Sequence, residues 1–146
     1  MEVTRIRETT PNNVAGTLRL LLAVLFVMTG AMKLLVPQLA EAWSGQLIAS
    51  GLPFFQLSRW SVPFVEILVG IVLGIGFFTR LATIVVVGIM AVATYVHVVA
   101  DDPSLFPLQP SEPIIPLAVI GISVYLLWRG GGSWSKDLTA TGTGLK

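Results

Sequence analysis

The chain has 146 residues, of which 54% are hydrophobic and only 12% charged, with a formal net charge of +1. A soluble domain carries about 25% charged residues, so this composition and a mean hydropathy of +0.83 predict a single integral membrane domain with no appended soluble enzyme. No cysteine is present, which excludes disulfides, thiolate nucleophiles and cysteine-ligated metal clusters.

Arg5 and Arg7 precede the first apolar run, residues 14–35. That run exceeds the roughly 7–15 apolar residues of a signal peptide core, so it predicts a retained first span. The following connection, 36–60, is too long for a turn. Within it Leu39, Trp43 and Leu47 recur every fourth position, with Gln38, Glu41, Ser44 and Gln46 away from them. This spacing predicts a short amphipathic helix in the first outer loop, at the membrane surface, stopping near Gly51-Leu52-Pro53. A helix packed on the bundle fits the same pattern.

The second span is predicted over 61–78, with Pro63 in its first turn, where a missing N–H is tolerated. Only Thr79-Arg80 separates it from the third, 81–99, so the two form a tight antiparallel hairpin. The loop 100–113 is rich in proline and acid and is predicted to be irregular. A short fourth span, 114–128, carries Pro113 and Pro116 at its start. The tail, 129–146, begins Arg129-Gly130-Gly131-Gly132, and its last several residues are predicted to be disordered. The fold class expected is an all-α integral membrane four-helix bundle.

Charge placement predicts orientation. Four spans put both termini on one side, which holds Arg5, Arg7, Arg19, Arg80, Arg129, Lys136 and Lys146, whereas the other side has only Lys33 and Arg59. By the positive-inside rule both termini are cytoplasmic. Lys33, Glu66 and His97 then fall within roughly 10 Å of the outer boundary, counted at 1.5 Å per residue.

Glu66 is the one ionisable residue in the apolar run 62–78, and Gly70 and Gly74 follow it at intervals of four on the same helix face. An acid at that depth is costly unless it faces protein, water or a cation, and the small residues allow a second helix to approach closely. One reading is a polar pocket in which Lys33 and Glu66 pair and His97 can donate or accept a proton. The other is structural: Lys33 reaches the headgroups, His97 is an interfacial residue, and Glu66 locks helices together.

Sharper chemistry finds no support. A haem in a helical bundle needs two axial ligands, and the single histidine would require Met90 or a second subunit to complete the set. With one histidine and no cysteine there is no zinc set. The glycines at 70–76 lie inside an apolar span and serve packing. The terminal glycines lack the Gly-Lys-Ser/Thr of a phosphate loop, and the scattered basic residues form no nucleic-acid stripe.

Several short elements resemble the DoxX family in order and spacing, over about residues 18–138. They are Arg19-Leu20, Gly30-Ala31-Met32-Lys33, Gly51-Leu52-Pro53, Glu66-Ile67-Leu68-Val69-Gly70, the hairpin from Gly76 to Ala82, His97, and Trp134-Ser135-Lys136-Asp137. The resemblance implies a four-helix bundle in a bacterial-type inner or plasma membrane. It also implies a group that includes subunits of membrane oxidoreductases such as thiosulfate:quinone oxidoreductase. The function expected is therefore that of a quinone-linked subunit without an intrinsic cofactor, with a quinone held at a subunit interface and a partner supplying the redox centre. The alternative is a non-catalytic anchor or assembly subunit; a small transporter would need oligomerisation to form a pathway. Expected partners are membrane lipids and either protein subunits or further copies of the chain.

Overall fold

A computed structural model describes residues 6–100 and 113–140. The regular elements among them are all helical: α1 (Asn13–Leu35), α2 (Pro37–Ala49), α3 (Phe55–Ile75), α4 (Thr79–Val99), α5 (Ile114–Arg129) and α6 (Lys136–Ala140). Helices α1, α3 and α4 are long and apolar enough to cross a membrane, while α5 is a shorter apolar helix.

Local chemistry sets the helix ends. Asn12 caps α1, its side chain accepting from Ala15 N at 2.9 Å. Val36 is extended, as a residue before proline prefers, and Pro37 starts α2 where no N–H is needed. Gly76, at φ 68°, closes α3 with a left-handed cap.

Helix α3 corrects the sequence expectation at both ends. It starts at Phe55, six residues before the predicted span, and ends at Ile75. Residues 55–60 mix polar and apolar side chains, so hydropathy marks them as loop although the backbone continues the helix. Pro63 accordingly sits inside α3 rather than in its first turn. The chain reverses at Gly76–Phe78, and α4 begins at Thr79, earlier than the predicted hairpin allows. At this turn Gly76 meets the C-terminal segment: a Cβ on it would lie 2.5 Å from Ser135 Cβ.

Ser44 is a second correction. It belongs to the predicted polar face of α2 but is buried with Ala42 and Leu47. Its hydroxyl donates to Ala40 O at 2.7 Å, which satisfies the group without water.

Helix α1 packs most extensively on α3, and α4 on α5. Leu22 and Phe26 of α1, Leu73 of α3, Val86 of α4 and Leu126 of α5 meet in one core. Two glycines set the α1–α3 spacing. A Cβ on Gly30 would lie 2.6 Å from Pro63 O, and one on Gly70 2.7 Å from Val27 Cγ2 and 2.9 Å from Val27 N. Gly74 has more room, the nearest atom being Ala23 Cβ at 3.7 Å.

The charge pattern assigns Arg19 to the basic side of the membrane, yet its side chain is fully buried. Its guanidinium donates to Leu73 O, to Gly74 O at 2.8 Å and to Gly131 O at 2.9 Å. Longer bonds reach Ser133 O at 3.3 Å and Trp134 O at 3.2 Å. Arg19 thus joins the last turn of α3, where Leu73 O also accepts from Gly76 N at 3.0 Å, to the segment after α5. Asp137 treats the start of α4 in the same way, accepting from Phe78 N at 3.0 Å and Thr79 N at 2.8 Å while pairing with Arg7 Nε at 3.1 Å. The chain past α5 is thus docked on the bundle through Asp137. The disorder expected for the last residues falls on 141–146, and most of the irregular loop on 101–112, outside the described residues.

Three substitutions test these contacts by thermal unfolding in detergent. Gly70→Ala should destabilise by about 1–3 kcal/mol through overpacking, whereas Gly74→Ala should be neutral or stabilise by up to about 1 kcal/mol through helix propensity. Asp137→Ala, which removes a cap from α4, should cost about 0.5–2 kcal/mol.

Candidate functional site

At the end of the helices opposite Arg19, Lys33 occupies the last turn of α1 and Glu66 lies within α3. The close approach at Gly30 brings them together, since the Gly30 Cβ position is 3.1 Å from Glu66 Cβ. Lys33 Nζ donates to Glu66 Oε1 at 2.5 Å. The Glu66 side chain is 3% exposed and that of Lys33 20%, so the lysine is the more accessible member of the pair. Helix α2 adds Trp43, whose ring centroid lies 4.5 Å from Lys33 Nζ, a cation–π contact.

Around the pair opens a cavity of about 570 Å³, within the range of about 300–1,000 Å³ typical of small-molecule sites. Its wall is mostly apolar, built from residues such as Phe26, Val62, Ile89, Val96 and Val119. Lys33, Trp43, Glu66 and His97 line the same space. His97 stands in the last turn of α4 and is half-buried. No ion pair links it to Glu66 or Lys33, so the structure brings the three candidate residues to one cavity and joins two of them directly. Gly70 and Gly74 lie farther along α3, outside the lining, and act on the α1–α3 contact.

Two buried polar atoms at this site have no hydrogen-bond partner among the described residues: Glu66 Oε2 and Trp43 Nε1. Each such group costs about 1–3 kcal/mol when left unsatisfied. The neighbouring Thr29 hydroxyl, by contrast, is satisfied by Phe26 O at 3.3 Å. Trp43 was not singled out from the sequence as a site residue. The available signal was its place on the stripe Leu39–Trp43–Leu47, which marks an inward face without naming its neighbour. No group of three histidine or acidic residues converges for a metal among the described residues. The cavity thus presents a mainly apolar wall with polar side chains at Lys33, Trp43, Glu66 and His97.

The pair itself can be tested by a double-mutant cycle on thermal unfolding. Lys33→Met should destabilise by about 3–5 kcal/mol, because it strands a buried carboxylate. Combining it with Glu66→Gln should restore most of that loss, and the coupling measures the pair.

The model of the DoxX family, described as DoxX, matches residues 15–98, from α1 to the end of α4. No curated protein and no solved structure matches the chain.

Proposed function

Because the chain belongs to the DoxX family, we propose that it is a four-span membrane subunit of a quinone-linked oxidoreductase complex. The observation that carries this reading is the Lys33–Glu66 pair on the wall of a large, mainly apolar cavity. The cavity suits a lipid-soluble molecule with its chain against Phe26, Ile89 and Val119 and its polar head at Lys33, Trp43 and Glu66. The orphaned Trp43 Nε1 is a donor that suits an oxygen of such a head group. A bound quinone would supply the redox capacity and a partner subunit the electron-transfer centre. The chain's own residues bind and orient the head, and His97 exchanges protons at the cavity wall.

In the membrane, α1, α3, α4 and α5 form the four spans. The end bearing Arg7, Arg80, Arg129 and Lys136 faces the cytoplasm under the positive-inside rule. The cavity then opens in the outer third of the bundle, with α2 at the outer interface as an amphipathic helix. A second reading, an anchor or assembly subunit, draws on the fact that Lys33 and Glu66 join α1 to α3 directly. There the pair serves helix packing alone.

Purification in mild detergent with mass spectrometry of co-purifying proteins and lipids tests the proposal. Recovery of a quinone together with a flavoprotein or cytochrome is the expected result. Glu66→Gln should leave the complex assembled while reducing quinone-dependent turnover by at least about tenfold. Full turnover of an intact Glu66→Gln complex, or a pure homo-oligomer without a redox partner, would instead support the packing role.

A further inference from the structure

Glu66 is 2% exposed, and the pair with Lys33 occupies only one of its oxygens. As the anionic partner of an ammonium, its carboxylate offers acceptors only, so Oε2 calls for a donor. Trp43 Nε1 is the complement, an indole N–H that can only donate and is buried without an acceptor among the described residues. Both side chains contact the same ammonium, Glu66 at 2.5 Å and the Trp43 ring at 4.5 Å, and both line the cavity. An unused acceptor and an unused donor therefore belong to two side chains that line the same mainly apolar cavity and share the Lys33 ammonium.

We infer that the cavity selects a lipid-soluble ligand whose polar end carries a hydroxyl, donating to Glu66 Oε2 and accepting from Trp43 Nε1. Among quinone-type molecules this is the reduced hydroquinone form, a refinement that rests on the quinone reading above. A hydroxyl both donates and accepts at one oxygen. A quinone carbonyl only accepts: it can take the indole N–H, but against Glu66 it sets acceptor to acceptor and leaves the buried carboxylate oxygen unpaired. The remaining N–H groups of Lys33 can serve an oxygen of either form, so they do not discriminate. A site built around a hydroxyl rejects the analogue lacking it because its own buried groups are then stranded. A membrane lipid alcohol, such as a diacylglycerol, presents the same hydroxyl, and the two sources are separable by experiment.

The test is equilibrium dialysis of the full chain in phosphatidylcholine nanodiscs under anaerobic conditions. The ligands are a decyl hydroquinone, the matching quinone, the hydroquinone dimethyl ether and dioctanoylglycerol. The hydroquinone should bind at least about tenfold more tightly than the quinone or the ether, the worth of one hydrogen bond to a charged group. Glu66→Gln, whose amide adds a donor, should shrink the hydroquinone preference to within about threefold. Trp43→Phe should weaken hydroquinone binding by about fivefold through loss of the indole N–H. Should Glu66→Gln not fold, the ether comparison on the unaltered chain and the Trp43→Phe variant still decide the matter. Hydroquinone and quinone binding within about twofold of each other would overturn the hydroxyl selectivity and leave the quinone reading standing. Binding of dioctanoylglycerol without either quinone form would retain the hydroxyl requirement and remove the quinone reading. Binding of none of the four would overturn both.

Discussion

The close approach of α1 and α3 is the constraint on which the rest depends. In a membrane, apolar side chains gain little by leaving lipid for one another, so helices associate through tight packing and polar contacts. Gly30 and Gly70 remove the side chains that would hold α1 and α3 apart, and the Pro63 carbonyl and Val27 backbone occupy the space released. That spacing also carries Glu66 to Lys33. Packing and charge pairing are thus two consequences of one contact, and a methyl group on either glycine disturbs both.

The buried charges at the two ends of the helices are used differently. Arg19 and Asp137 are consumed by backbone: the guanidinium takes carbonyls from the end of α3 and from the C-terminal segment, and the carboxylate takes the first amides of α4. Their donors and acceptors complete helix ends, while Thr79 Oγ1 and Arg129 Nε at that end have no hydrogen-bond partner among the described residues. Lys33 and Glu66 instead pair with each other, and one carboxylate oxygen and the neighbouring indole N–H remain over beside a cavity.

Much of the candidate site was legible because ionisable residues stand out in apolar sequence. Glu66 announces itself among aliphatic neighbours, and counting residues along antiparallel helices places Lys33 and His97 at a similar level. Trp43 was not legible as a neighbour of Lys33, since the direction of α2 depends on its packing against several helices. The burial of Arg19 was not legible, because a basic residue near a helix start looks like a charge facing the aqueous side. Its real partners lie more than fifty residues away in sequence. Ser44 and the early start of α3 escaped for a related reason. A hydroxyl satisfied by its own helix can be buried, and a helix can extend into polar sequence once its apolar part is anchored.

The sequence by itself determined an all-helical, membrane-directed chain, because long apolar runs with few charges have few other ways to satisfy their backbone. It also determined which side chains would be costly in that setting. Tertiary structure decided where each of those costs is met: Arg19 among carbonyls, Asp137 on amide groups, and Lys33 against Glu66 beneath Trp43. These choices depend on approaches of a few ångströms between segments distant in sequence, which residue spacing along one helix does not encode.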